Sequence, residues 1–341
     1  DVGFKQGTLE GLEMSFWKNK SVLVTGATGL VGSWLVHELL KQGSNVTALV
    51  LDNDPASQLF RSGDIDRISV VSGNLSSYHD VARSMYTNEC TEVFHLGAQT
   101  IVGTALLDPI STFESNVQGT WNVLEAVRQS KGLVKAVVVA SSDKAYGSSG
   151  NLPYLEDHPL HGDGPYDVSK SCTDLIAQSY GNTYGVPVTV ARCGNIYGGG
   201  DLNWSRIVPG TIRDLERKKQ PVFRSDGTFI RDYVHVDDVI SGYMKLAEVS
   251  QTKNINGEAF NFSRDEPLSV TALYKHICQA TVGAYVEPLI LNTAKSEIKD
   301  QHLNSNKAKS VLGWSSSVSI GDGLAKTVDW YRNYLQSGSN V

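Results

Sequence analysis

Tyr166 and Lys170 stand four residues apart in Pro165-Tyr166-Asp167-Val168-Ser169-Lys170, and on a helix that spacing puts both side chains on one face. An ammonium beside a phenol stabilises the phenolate and brings the tyrosine towards the range of a general base. An isolated pair of this kind is commonly accidental, so its weight depends on what surrounds it. Far upstream, Gly26, Gly29 and Gly32 form Gly-x-x-Gly-x-x-Gly, a pattern that lets backbone approach a pyrophosphate at the start of a helix. Asp52 follows Gly32 by about twenty residues, the place of a carboxylate that accepts hydrogen bonds from the adenosine ribose. A carboxylate there repels a ribose 2′-phosphate, which favours NAD over NADP. Arg61 keeps NADP open as the alternative.

These residues need particular elements to position them. Ser21-Val22-Leu23-Val24-Thr25 is a short β-rich run that stops at Gly26. Trp34, Leu35, Val36, Leu39 and Leu40 recur at helical spacing up to Gly43, and a second strand over 46–51 ends at Asp52. This is one βαβ unit, with the glycines at its first turn. The alternation continues with a strand at 68–71, a helix near 77–87, a strand at 93–96, a long helical pattern near 110–130 and a strand at 136–140. It predicts an α/β fold, a doubly wound (Rossmann), mostly parallel sheet with ligands at the carboxyl ends of its strands. Beyond about residue 190 the rhythm loosens around Gly198-Gly199-Gly200, Pro209, Pro221 and Pro267. The expected division is a dinucleotide-binding domain over 14–190 and a smaller substrate lobe over 191–335. Some segments of that lobe return to the first domain, with 188–191 and 233–235 as candidate strands of the main sheet. Residues 1–13 lack periodicity and are read as an expression remnant outside the fold.

Composition narrows the partners. A chain of 341 residues with 40% hydrophobic and 19% charged residues has the profile of an ordinary globular protein. A net charge of −6 argues against a large nucleic-acid-binding surface, which works by neutralising phosphates. No apolar run reaches the roughly 18–20 residues needed to cross a bilayer, and the expected location is the cytoplasm. Cys90, Cys172, Cys193 and Cys278 form no ligand cluster and read as free thiols, so no metal site is expected. His95 and His235 sit in β-like segments as satisfied buried histidines, Asp237-Asp238 as the cap of a following helix, and Cys193 as packing. Trp204 and Tyr197 are equally explained as packing or as lining of a sugar pocket.

Ser141-Ser142-Asp143-Lys144-Ala145-Tyr146-Gly147 follows the strand at 136–140. With the glycine motif and Tyr166-x-x-x-Lys170, it resembles the extended short-chain dehydrogenase/reductase family, specifically the NAD-dependent nucleotide-sugar epimerases and dehydratases. His95-Leu96-Gly97-Ala98-Gln99, Asn116-Val117-Gln118-Gly119-Thr120, Gly194 to Asp201 and Arg231 to Asp238 extend the resemblance from Phe16 to about Trp330. It implies that Tyr166 takes the proton of the sugar's 4-hydroxyl, that Lys170 holds the nicotinamide ribose, and that Ser142 hydrogen-bonds the reacting oxygen. It places Gly26, Thr28, Gly29, Leu30, Val31, Asp52, Asn53, Asn74, Leu75, Leu96, Gly97, Ala98 and Gln99 along NAD, with Tyr166 and Lys170. Gln99, Asn195, Arg206, Arg231 and Glu297 go to the nucleotide-sugar substrate. Asn74 departs from the family, where an aspartate usually contacts adenine.

Asp143 and Lys144 separate the subclasses. A 4-epimerase carries small or neutral residues there, whereas a 4,6-dehydratase needs an acid and a base to remove the carbon 5 proton and expel the carbon 6 hydroxyl. Asp143 is the expected acid and Lys144 the base. Phe16-Trp17, Gly32-Ser33-Trp34-Leu35 and Arg206-Ile207-Val208-Pro209 are most similar to the members acting on CDP-glucose. The alternatives are a nucleotide-sugar 4-epimerase or decarboxylase, another carbonyl reduction and, remotely, an inactive nucleotide-binding protein. The resemblance also implies a homodimer, packed through the helix near 110–130 and the Tyr166 helix, with Val117, Trp121, Leu124, Leu175 and Ala177 as candidate contacts.

Overall fold

Val22, Leu23 and Val24 are fully buried on both faces of strand β1 (Ser21–Thr25), because helices cover both sides of the sheet to which it belongs. The computed structural model describes residues 15–293 and 298–337. The expected remnant at 1–13 lies outside the described residues, as does Glu297. After β1 come helix α1 (Leu30–Lys41), β2 (Asn45–Val50), β3 (Ser69–Ser72), β4 (Glu92–His95), β5 (Ala136–Ala140) and β6 (Val188–Cys193). With strand Ala259–Phe262 they form a seven-stranded sheet in the order Ala259–Phe262, β6, β5, β4, β1, β2, β3, and every pairing is parallel. The winding reverses between β1 and β4. A crevice for a ligand opens at such a switch point.

Alternate residues of each strand feed two separate cores, as a period of two requires. Val22, Val24 and Val138 join Leu35, Leu39, Leu246 and Phe260 on the side of α1 and helix Val236–Ser250. Leu23, Val137 and Val139 join Val81, Leu124 and Ala177 on the side of helices Tyr78–Tyr86, Gly119–Gln129 and Pro165–Tyr184. A third cluster, with Ile212, Phe223, Tyr274, Leu324 and Tyr331, holds together helices Ile207–Glu216, Val270–Val282 and Ile320–Gln336.

Four details differ from the sequence expectation. Tyr233–His235 pairs in parallel with Asn195–Tyr197 in a separate two-stranded sheet; the place beside β6 is taken by Ala259–Phe262. The helical stretch near 110–130 is divided by a π-helical turn at Glu114–Gln118. There the Asn116 carbonyl accepts from the Thr120 and Thr173 hydroxyls, at 2.6 and 2.9 Å. Helix Val236–Ser250 is capped by His235, whose Nδ1 accepts the Asp237 N–H at 3.2 Å. The Asp238 carboxylate instead accepts from Ser317 N, Ser317 Oγ and Val318 N and ties down the later chain. Finally, Leu124 and Ala177 belong to the interior, so they are not contacts for a mate; Trp121 and Leu175 are 43% and 53% exposed.

Candidate active site

Gly26, with φ +71°, turns the chain out of β1 in a conformation that L side chains rarely adopt. A Cβ on Gly26 would lie 2.7 Å from Gly97 N, and one on Gly32 would lie 2.1 Å from the Gly26 carbonyl oxygen. The turn therefore packs backbone against backbone with no room for a side chain. Gly29 caps α1 without a side-chain hydrogen bond, and no acidic residue stands in the first turn. The helix thus presents unpaired N–H groups and its positive end, the chemistry that a pyrophosphate requires. Asp52 and Asn53 follow the carboxyl end of β2 and are exposed, and Thr28 to Val31 run into α1. Asn74 turns its side-chain oxygen to the N–H of Ser76 at 3.0 Å, and its own N–H donates to Asp80 at 3.1 Å.

β1 and β4 are joined at their ends by a polar chain. Thr120 donates to the Asn116 carbonyl, so its oxygen accepts from His95 Nε2 at 3.1 Å. His95 Nδ1 is then the acceptor for Thr25 Oγ1 at 2.9 Å, and Thr25 accepts from the N–H groups of Leu96 and Gly97 at 3.1 and 3.0 Å. Burial, aided by the charge of Lys170, pushes His95 down to about 3, which keeps it neutral and this arrangement fixed. Gln99 is engaged by its own neighbourhood. Its N–H donates to Asn116 Oδ1 at 2.7 Å, and its side-chain amide donates to Ile101 O and Thr112 Oγ1, each at 3.1 Å.

Beyond β5, Ser142 caps a short 3₁₀ turn, Asp143–Tyr146, accepting from Lys144 N at 3.2 Å and donating to Asp143 Oδ1 at 3.0 Å. Asp143 is buried, and its Oδ2 has no hydrogen-bond partner among the described residues. Desolvation raises its pKa above the usual carboxylate range, against the pull of Lys144, Ser142 and Arg231. Lys144 donates to Gln301, whose amide in turn donates to the Asp143 carbonyl at 3.1 Å.

Tyr166 and Lys170 lie on the first turns of helix Pro165–Tyr184. Lys170 donates to the Ala140 carbonyl at 2.9 Å, and burial lowers its pKa to about 8. The four-residue spacing of Tyr166 and Lys170 predicts that the ammonium brings the phenol down. Burial instead pushes it up to about 12, with Arg206 and Ser142 pulling it back and Asp143 raising it further. For this chain alone, desolvation outweighs the cationic neighbours.

Arg206 pairs with Asp201 at 3.1 Å, and buried Arg231 donates to the carbonyls of Ile230 and Lys299 at 2.8 and 3.2 Å. The charge of Arg206 pulls the Tyr166 pKa down and that of Arg231 pulls the Asp143 pKa down. Asn195 is exposed, its amide 3.3 Å from the Asp232 carbonyl oxygen. Tyr197 and Trp204 pack in the third core, against His235 and against Tyr331 and Tyr334. Cys193 is buried beside Tyr243, and burial pushes its thiol up to about 12. Among the described residues no group of three or more His, Cys, Asp or Glu side chains is placed to hold a metal ion. No helix among them is long and apolar enough to cross a membrane.

Two further residues, Asn116 and Gln301, take part in the site. Asn116 hydrogen-bonds both the Gln99 backbone and Ser169 on the Tyr166 helix, and its motif was visible although its function was not. Gln301 carries no sequence signal at all.

Residues 22–262 match the NAD dependent epimerase/dehydratase family. The CDP-glucose 4,6-dehydratase of Salmonella typhimurium strain LT2 is 30% identical over 343 residues, covering 95% of this chain and 94% of that protein. Among solved structures, the UDP-glucose 4-epimerase of Thermotoga maritima with UDP-glucose superposes with a TM-score of 0.82 at 27% identity, over 92% of this chain and 99% of that one. A dTDP-glucose 4,6-dehydratase of Streptomyces venezuelae with NAD bound gives 0.80 at 27% identity, over 92% and 97%.

Proposed function

The chain belongs to the NAD dependent epimerase/dehydratase family, and from that premise we propose that it is a nucleotide-sugar 4,6-dehydratase converting an NDP-hexose, with CDP-glucose the first candidate, into the NDP-4-keto-6-deoxyhexose. The observation that carries this reading is Asp143, a buried carboxyl with a raised pKa and one oxygen unpartnered among the described residues, set between Ser142 and Lys144. Burial favours the protonated form of this carboxyl, and an elimination needs an acid for which a 4-epimerase has no use.

The glycine turn fits a dinucleotide: Gly26 and Gly32 let the backbone pack where a Cβ would clash, and the helix start carries no acidic residue in its first turn. Gly26, Thr28, Gly29, Leu30 and Val31 would hold the pyrophosphate, Asp52 and Asn53 the adenosine ribose, and Asn74 and Leu75 the adenine. Leu96 to Gln99, Tyr166 and Lys170 would line the nicotinamide half. Bound NAD would accept hydride from carbon 4 and return it at carbon 6. Tyr166 takes the proton of the 4-hydroxyl, and Ser142 holds that oxygen. Lys144 then removes the carbon 5 proton, the electron pair forms the C5–C6 double bond, and the C6–O bond breaks. Asp143 gives its proton to the departing hydroxyl, which leaves as water. Arg206, Arg231 and Asn195 hold the diphosphate. Glu297 is kept as a substrate contact on sequence resemblance alone.

The residues around the first two cores form the cofactor domain in this account, and the third cluster forms the substrate lobe. Exposed Leu106, Leu107, Ile110, Trp121 and Leu175 supply an apolar face for a homodimer. The experiment is incubation with CDP-, dTDP- and UDP-glucose followed by mass spectrometry. A product lighter by one water supports the dehydratase. An isomer of unchanged mass assigns the chain to the epimerases, the activity named for the Thermotoga protein on which it superposes.

A further inference from the structure

Gln301 lies in a two-residue strand, Asp300–Gln301, that pairs in parallel with Ile230–Arg231 and sets Gln301 opposite Arg231. It is fully buried. Its side chain touches the two residues that the elimination depends on: Nε2 donates to the Asp143 carbonyl at 3.1 Å, and Oε1 accepts from Lys144 Nζ. A backbone carbonyl only accepts, and a lysine ammonium only donates. The amide therefore has one orientation that satisfies both, and its oxygen is committed to Lys144.

The neutrality of this partner matters as much as its position. Asp143 on the same turn and Asp167 on helix Pro165–Tyr184 both feel the charge of Lys144, and Arg231 acts on Asp143 from the neighbouring strand. A third carboxylate at position 301 would stabilise the ammonium and hold its proton. An amide orients the nitrogen without adding charge.

We propose that Gln301 is a positioning residue for the elimination half-reaction, holding Lys144 and the Asp143 backbone in register through a neutral amide. The proposal rests on the dehydratase reading above. The substrate for the test is whichever of CDP-, dTDP- and UDP-glucose the wild type turns over fastest, with full-length enzyme loaded with NAD. Gln301→Met keeps the length of the side chain and removes both hydrogen bonds. A misplaced catalytic group costs about 10²-fold. Entry of solvent deuterium at carbon 5 should slow by about that factor, while reduced nicotinamide still appears at the wild-type rate and KM stays the same. Gln301→Glu adds a carboxylate beside Lys144, and the pH limb of deuterium entry that requires the neutral amine should move up by about 1–3 pH units. The proposal is overturned if Gln301→Met leaves deuterium entry unchanged, or slows it in step with hydride removal and KM as general unfolding would. An unmoved limb in a folded Gln301→Glu protein also overturns it; if that variant does not fold, Gln301→Met decides. A wild type whose product keeps its 6-hydroxyl defeats the dehydratase reading itself, whereas a dehydrating wild type with an indifferent Gln301→Met defeats only the role of Gln301.

Discussion

Asp143→Asn separates catalysis from stability at a single buried position. The Asp143 carboxyl accepts from Ser142 at 3.0 Å through Oδ1, and Oδ2 has no partner among the described residues. Asparagine keeps the acceptor for Ser142 and places an NH₂ where the unpartnered oxygen was, so the hydrogen bonds observed in the wild type survive. The variant has no proton to give to a departing hydroxyl. Loss of general acid assistance costs about 10²–10⁴-fold, so elimination should fall by that factor while Tyr166, Ser142 and Lys170 still support oxidation. The near-ultraviolet absorbance of reduced nicotinamide should then accumulate in a single turnover. Stability should move the other way. Because burial raises this pKa in the folded protein, the group favours folding most below its unfolded pKa, and that contribution is lost as pH rises through the folded pKa. Asparagine removes the cost of the buried charge above that range, offset by one unpaired amide group worth about 1–3 kcal/mol. The thermal midpoint of Asp143→Asn should therefore fall less than that of the wild type as pH is raised from about 4 to neutrality. Stopped-flow absorbance and pH-resolved thermal melts check both halves. Near wild-type turnover in a folded variant would refute the assignment of the acid, and parallel pH profiles would refute its raised pKa.

Asp232→Asn should raise stability at neutral pH. Burial lifts Asp232 to about 6, so its stabilising contribution is complete below the unfolded value of 3.8 and lost by about pH 6, a difference on the order of 3 kcal/mol measurable by denaturant titration at pH 4 and pH 7. Gly32→Ala should cost at least the 1–3 kcal/mol typical of overpacking and abolish retention of NAD, because the new Cβ meets the Gly26 carbonyl oxygen at 2.1 Å; thermal melts and mass spectrometry of the denatured protein would show both. Trp121→Glu together with Leu175→Glu should turn the proposed homodimer into a folded monomer by light scattering, since both side chains are exposed and neither belongs to a core cluster. An unchanged dimer would remove that face from the interface.

The sheet was legible because its strands are continuous apolar runs and its helices are amphipathic, so Ser21 to Asp52 could be read almost residue by residue. The Gly26 turn was legible for a similar reason, since spacing alone implies close backbone approach. Tyr233–His235 misled because a short apolar strand looks the same in any sheet; only the neighbouring chain decides that Ala259–Phe262 sits beside β6. Asp237-Asp238 looks like a cap, but His235 at the preceding boundary accepts the N–H, and the distant Ser317 and Val318 claim Asp238. The direction of the Tyr166 shift depends on burial, which a local pair of residues does not encode. Gln301 was invisible because its partners lie 157 and 158 positions away along the chain.

The central claim is that Asp143 and Lys144 carry out an elimination after oxidation at carbon 4. Its most direct test is the product formed by wild-type enzyme from an NDP-glucose in deuterated water, observed by NMR and mass spectrometry. The account predicts a 4-keto sugar with a methyl group at carbon 6 and solvent deuterium at carbon 5. A product that keeps its 6-hydroxyl and carries no deuterium at carbon 5 would contradict it.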